Sequence, residues 1–263
     1  MDFIVDGLKT HVATGGRDAR DGEPVVILIH GAGMDRTVWQ YQNRNIAYRE
    51  RRVLAIDLPG HGRSEGTPPK SISGMADWII RFMDAANVSA AILIGHSMGA
   101  LVALETAARY PERIEKLVLM GVAETMPVHP DLLAAAEANQ PLAPELIVFW
   151  GVGERSQIGG HPNPGFCVQG ASEALLKLSG DGMIANDLSA CNDYKDAMQS
   201  AKKVLCPTLF VLARDDKMTP PEKGLALAEN IADSRSVVIE ESGHMMMAET
   251  PNQVFDALKG FVF

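Results

Sequence analysis

The chain has 263 residues, 46% of them hydrophobic and 6% aromatic, and carries a formal net charge of -9 at pH 7. That length suits one large α/β domain with room for a small insertion. The acidic balance lacks the basic footprint that a nucleic-acid or anionic-membrane partner requires, so a small-molecule partner is expected, with no nucleic acid and no membrane.

Residues 3 to 14 read as two short edge strands around Gly7, followed by a turn at Gly15-Gly16. The nearly unbroken apolar run from Pro24 to His30 is the mark of a strand covered on both faces. A glycine-rich turn, His30-Gly31-Ala32-Gly33, follows it with amides free to meet an anion, but it lacks the spacing and the lysine of a phosphate-cradling loop. Val53 to Ile56 gives the next strand. Asp57-Leu-Pro-Gly-His-Gly-Arg-Ser64 then specifies a fixed loop. His61 in that loop has no acidic partner at an obvious spacing, so Asp57, His61, Arg63 and Ser64 are expected to be structural. Ser73 is the expected N-cap of a helix that buries Ala76, Ile79, Ile80 and Met83.

Ala91 to Ile94 is a further buried strand, and from Met98 the run Leu101-Val-Ala-Leu104 reads as a helix. Between them stands Gly95-His96-Ser97-Met98-Gly99. A serine at a strand-to-helix turn, with glycine two residues to either side, has its hydroxyl pushed out toward a substrate. Tyr110-Pro111 ends the helix, and Lys116 to Met120 forms another strand. Strands alternating with helices imply a mainly parallel sheet, with the ligand site at the carboxyl ends of its strands.

Composition changes between Glu124 and Ser200: two proline-rich turns, an alanine-rich helix over 131–139, an apolar patch Leu146 to Trp150, a glycine-rich stretch 151–170, and helices near 172–178 and 183–190. No sheet strand is evident there. An α-helical cap inserted at 124–200 is expected, with 1–123 and 201–263 as the core. Phe149, Trp150 and Phe166 are candidates for substrate contact, as is Met245 beside the last strand, and Gly159 to Gly165 is a candidate hinge.

The core resumes with a strand over 207–213. Thr219-Pro220-Pro221-Glu222 has the form of a capped helix start. A last strand, 236–240, leads to Gly243-His244, and Thr250-Pro251 opens a closing helix that turns Val254, Leu258 and Phe261 inward. The three cysteines, Cys167, Cys191 and Cys206, are odd in number and lack metal spacing, so separate thiols in a reducing compartment are expected. With no basic segment before an apolar core at the N-terminus, the expected location is cytoplasmic.

A serine hydroxyl is a poor nucleophile near neutral pH and needs a base, which in turn needs a third group to fix its tautomer. The order Ser97, then Asp215 or Asp216, then His244 supplies all three at strand ends. Asp216 is preferred over Asp215 because it stands four residues before Pro220. Backbone amides of Ala32 and Met98 are placed to form an oxyanion hole. His11, His96, His129 and His161 have no metal spacing, and neither a metal nor a cofactor is expected.

The residues His30-Gly-Ala-Gly-Met-Asp-Arg-Thr-Val-Trp39, Asp57 to Ser64, Gly95 to Gly99, Asp216 with Thr219-Pro220, and Gly243-His244 with Glu249-Thr-Pro251 resemble the α/β-hydrolase superfamily. The resemblance is to its compact capped branch of serine esterases, lactonases and carbon-carbon bond hydrolases. It implies an eight-stranded, mainly parallel sheet flanked by helices, and a cofactor-free triad of Ser97, Asp216 and His244. The oxyanion-hole amides it implies are those of Ala32 and Met98. Serine at position 97 sets the chain apart from the haloalkane dehalogenases of the superfamily, which carry aspartate there. Ala213 departs from the glycine common at that position, a difference that bears on packing at the strand end.

Hydrolysis of a small carboxylic ester or lactone is the expected activity, with peroxide in place of water as a conceivable side reaction. The alternative is carbon-carbon bond hydrolysis of a diketo acid by the same triad; such a substrate calls for an arginine, and Arg155 is the one arginine of the cap. A non-catalytic ligand-binding fold is the alternative from another class, and its signature would be a missing triad member. The apolar surface of the cap leaves a homodimer open.

Overall fold

Strands that are apolar on both sides need cover on both faces, and the alternation within each strand decides what meets which layer. The computed structural model describes residues 1–263. Strands β1 (Asp2–Val5) and β2 (Leu8–Ala13) form an antiparallel hairpin at one edge. The parallel body consists of β3 (Val25–Ile29), β4 (Arg52–Ile56), β5 (Ala91–His96), β6 (Ile114–Met120), β7 (Thr208–Ala213) and β8 (Ser234–Ile239). The eight strands lie in the order β1-β2-β4-β3-β5-β6-β7-β8, with β2 antiparallel to β4 and all later pairs parallel. The expected mainly parallel eight-stranded α/β sheet is thus observed.

Successive side chains along each strand enter opposite layers. Ile27, Ile29, Leu54 and Ile56 pack with helices α2 (Ile72–Ala85) and α3 (Met98–Arg109). Val26, Leu28, Val53 and Ala55 pack on the other side with α1 (Gln40–Ala47) and, at the C-terminus, α12 (Pro251–Val262). Each fully buried large side chain, Phe82 for instance, stabilises the fold by roughly 1.5–3 kcal/mol.

The N-cap of helix α2 lies two residues before the expected one. Ser71 accepts from the Gly74 amide at 3.1 Å, while Ser73 lies inside the helix and donates to Glu105 at 3.0 Å. Its buried face includes Met75, Trp78 and Phe82 as well as Ala76, Ile79 and Met83; Ile80 is only partly buried.

Between β6 and β7 there is no strand. The chain there forms α4 (Pro130–Glu137), α5 (Leu142–Gly151), α6 (Glu154–Gln157), α7 (Val168–Lys177), α8 (Met183–Asp193) and α9 (Ala197–Ala201). The last of these crosses residue 200, the boundary expected from composition. Cys191, Tyr194, Ala197 and Ala201 belong to the same apolar layer as α2 and α3. The buried carboxylate of Glu105 on α3 accepts from the Tyr194 and Ser200 hydroxyls, each at 2.7 Å, and ties this return segment to the sheet. The remaining helices are α10 (Pro221–Ala228) and α11 (Met246–Glu249). No helix is long and apolar enough to cross a membrane. Cys167 is exposed, Cys191 and Cys206 are buried, and all three are free thiols.

Candidate active site

The buried strand β5 delivers Ser97 to a sharp turn with φ 54° and ψ -117°, a conformation that costs a non-glycine residue on the order of 1–3 kcal/mol. The flanking glycines are required by contact. A Cβ on Gly95 would lie 2.1 Å from the Gly99 carbonyl oxygen, and one on Gly99 would lie 2.3 Å from that of Ile29. The turn is pinned from the neighbouring strand by the Ser97 amide, which donates to Met120 O at 2.9 Å.

His244 follows β8 and is 2% exposed. Its Nδ1 lies 2.7 Å from Asp216 Oδ2 and 3.2 Å from Thr219 Oγ1. Asp216 also accepts the Met218 amide at 2.9 Å, the Thr219 amide at 2.8 Å and the Thr219 hydroxyl at 2.7 Å. Burial opposes the charge on Asp216, but the His244 imidazole and these hydrogen bonds outweigh it and hold the carboxyl below its ordinary value. Thr219 therefore serves the aspartate and does not cap α10, whose N-cap is Pro220 with no side-chain bond. Asp215, the rejected choice, is half-buried and donates its amide to Ser242 O.

Three further groups hold the histidine loop. The Gly151 carbonyl at the end of α5 accepts the His244 amide at 2.7 Å. His96 Nε2 donates to the His244 carbonyl at 2.8 Å; burial, then the neighbouring His244, depresses the His96 pKa to about 3, so it works as a neutral donor. Glu249 accepts the amides of Gly153, Gly243 and Met245 at 2.9, 3.2 and 3.1 Å. Burial pushes the Glu249 carboxyl up despite those bonds. Nothing in the sequence around His96 points to this role, and Glu249 stands out only within Glu249-Thr-Pro251. Its position five residues after His244 was the available signal.

Ser97, His244 and Ala32 open onto one cavity of about 400 Å³. The Ala32 amide, in the loop after β3, has no backbone acceptor within the chain, and Met98 opens α3, where the first amides lack intrahelical partners. The other walls are mostly apolar: Met34, Met126, Val128, Leu132, Ile147, Trp150 and Leu188, with His129, Lys217 and the Cys191 thiol among them. Of the four residues expected at the substrate, only Trp150 lines this cavity. Phe149 is the preceding residue on α5, about 100° around the helix, and is 62% exposed. Phe166 packs on Tyr41 and His161, and Met245 is buried in the apolar layer below. Arg155 is turned away, bonded to Glu241 and the Gly160 carbonyl.

The loop expected to be structural is so, with one correction. Asp57 is fully buried and accepts from the Arg36 amide, the Arg36 guanidinium and the Arg63 amide at 2.8, 2.6 and 2.9 Å, and Ser64 donates to its carbonyl at 2.8 Å. His61, however, does have an acidic partner: its Nε2 lies 2.8 Å from Asp187 Oδ2 on α8. The expected hinge at Gly159 to Gly165 has no helix or strand, and is tied to α11 by His161 Nε2 donating to Ala248 O at 2.8 Å.

The model of the alpha/beta hydrolase family matches residues 26–257. A putative esterase/lipase of Haemophilus influenzae is 30% identical over 249 residues, covering 91% of this chain and 83% of that protein. The 2-hydroxy-6-oxo-2,4-heptadienoate hydrolase of Pseudomonas putida is 27% identical, covering 94% and 90%. One further curated relative, also 27% identical, is longer, and the chain spans 64% of its length. Among solved structures, the enol-lactonase of Burkholderia xenovorans LB400 superposes with a TM-score of 0.88 at 22% identity, covering 100% of this chain and 99% of that one.

Proposed function

The chain belongs to the α/β hydrolase family, and from that membership we propose that it hydrolyses a small carboxylic ester or lactone through an acyl-enzyme on Ser97. The observation that carries the reading is the opening of a strained Ser97 and of His244, itself paired with Asp216, onto one apolar cavity. With its Nδ1 proton held by Asp216, His244 keeps the Nε2 lone pair for the serine proton. Ser97 Oγ bonds to the acyl carbon, and the carbonyl oxygen takes the electron pair and meets the amides of Ala32 and Met98. When the carbon-oxygen bond to the leaving group breaks, His244 returns the proton to it. Water, deprotonated by the same histidine, then releases the acid.

The lining favours an acyl group that is apolar beyond its carbonyl. Lys217, exposed and 3.7 Å from Glu154, and His129 are the basic groups that line the cavity besides His244. Carbon-carbon bond hydrolysis of a diketo acid is the second reading. The name of the Pseudomonas putida relative favours it, whereas the absence of an arginine from the lining weighs against it.

Steady-state hydrolysis of p-nitrophenyl esters of increasing acyl length, with wild type beside Ser97→Ala, tests the proposal. Serine-dependent turnover that falls off beyond a definite chain length is expected. No turnover on any ester, with turnover of a diketo acid, would move the assignment to the second reading.

A further inference from the structure

Asp187 is fully buried on α8, far in sequence from the groups it binds. A single carboxylate oxygen, Oδ2, accepts both the Gly33 amide at 2.9 Å and His61 Nε2–H at 2.8 Å, while Oδ1 accepts from Asn186 Nδ2 at 3.2 Å. Gly33 directly follows Ala32. It has φ +66°, and a Cβ there would lie 2.8 Å from Ile184, one turn before Asp187 on the same helix face. Helix α8 thus grips the loop after β3 twice, by an acceptor for its amide and by an aliphatic contact on its α-carbon. Leu188 and Cys191 of the same helix line the cavity.

A buried carboxylate requires a countercharge. Burial alone would strip His61 of its proton, but the Asp187 charge and hydrogen bond outweigh it and hold the His61 pKa above its ordinary value. His61 Nδ1 donates to Pro59 O at 3.0 Å, so both ring nitrogens are committed. The neighbouring His30 ring, 4.8 Å away, is held the other way, its pKa lowered by burial and by His61. His61 anchors the carboxylate, and the carboxylate anchors the loop.

We propose that Asp187 is a positioning residue for the oxyanion hole: by fixing the Gly33 amide it sets the direction of the adjacent Ala32 amide, so the helix over the cavity also fixes the field at the reacting oxygen. The inference rests on the acyl-enzyme reading above. A carboxylate that merely held α8 in place would alter stability or substrate binding and leave transition-state stabilisation alone.

Phosphonylation by an alkyl fluorophosphonate reads that stabilisation without knowledge of the substrate. Ser97 Oγ bonds to phosphorus, fluoride leaves, the serine proton passes to His244, and negative charge builds on the phosphoryl oxygen. Asp187→Ala should slow labelling about thirtyfold and lower kcat on a p-nitrophenyl ester by a similar factor, with KM within about twofold. Asp187→Asn, which retains an oxygen for the Gly33 amide, should recover most of that loss. Should Asp187→Ala fail to fold, the double variant Asp187→Leu/His61→Phe removes both charges together, a change that buried pairs tolerate, and the same loss is expected of it. Folded variants with wild-type labelling and kcat, or with a raised KM alone, would overturn the inference while leaving Ser97 as nucleophile. Wild type left unlabelled, or Ser97→Ala labelled as fast as wild type, would overturn the acyl-enzyme reading and this inference with it.

Discussion

Two histidine-aspartate pairs, His244–Asp216 and His61–Asp187, share the same elementary chemistry and differ in what it can do. Both are buried, with nitrogen-oxygen distances of 2.7 and 2.8 Å. His61 spends Nε2 on Asp187 and Nδ1 on Pro59 O. An imidazole that donates from both nitrogens is a cation with no lone pair, so it serves as a fixed charge. His244 spends Nδ1 on Asp216 and turns its other edge to the cavity that Ser97 shares. The number of ring nitrogens left over, and not the presence of a carboxylate, separates a candidate base from a clamp.

The largest expected effect lies in exchanging the roles of the two histidines. His244→Gln should lower kcat on an active ester by at least about 10⁴-fold with little change in melting temperature. His61→Gln should cost far less activity, no more than the roughly thirtyfold expected of Asp187→Ala, but should leave Asp187 as an unpaired buried charge at a cost of about 3 kcal/mol, which for a chain of this size is about 8 °C in melting temperature. A large kcat loss in His61→Gln, at a melting temperature equal to wild type, would erase the distinction.

Next in size is the choice of acid. Asp216→Asn keeps the shape of the pair but gives His244 the wrong tautomer, and kcat should fall about 10³–10⁴-fold. Asp215→Asn should stay within about threefold of wild type. The two kcat values, measured side by side, test the preference for Asp216 over its neighbour.

A smaller effect follows from charge. The folded pKa of His61 is raised, so its contribution to stability is fully present below the ordinary histidine value of about 6.5 and is lost as pH rises through the folded value. Asp216 has the opposite sign: its folded pKa is depressed, so its contribution holds above the ordinary aspartate value and is lost as pH falls through the folded one. Between about pH 6 and pH 9, wild type should therefore lose more thermal stability than His61→Gln. Melting curves that shift in parallel for the two proteins would contradict a charged His61.

The smallest expected effect concerns the neighbouring aromatics of α5. Trp150→Ala should widen the cavity and move the preferred acyl length upward, while Phe149→Ala, on the exposed face, should leave the acyl-length profile unchanged. An acyl-length series on both variants checks it.

The strands, the turn at Ser97 and the order of Ser97, Asp216 and His244 were legible because each rests on local pattern: an apolar run, paired glycines, a strand end. Asp187 was not, because nothing near it in sequence marks it; its partners Gly33 and His61 lie more than a hundred residues earlier and meet it only when α8 packs over the sheet. Thr219 misled for a related reason. Its spacing before Pro221 suits a helix cap, but a buried carboxylate three residues back competes for the same hydroxyl and wins. Composition alone sets the expected end of the insertion at residue 200, and the contact of Tyr194 and Ser200 with Glu105, on a helix far upstream, is not visible in it.

The most direct test of the central claim is rapid mixing of the protein with p-nitrophenyl acetate, acid quench and mass analysis of the peptides. The account predicts one acetyl group on the peptide that carries Ser97, formed in step with the first release of p-nitrophenol and absent from Ser97→Ala. Turnover with no acetylated Ser97, or with the acetyl group on the cavity thiol of Cys191, would contradict it.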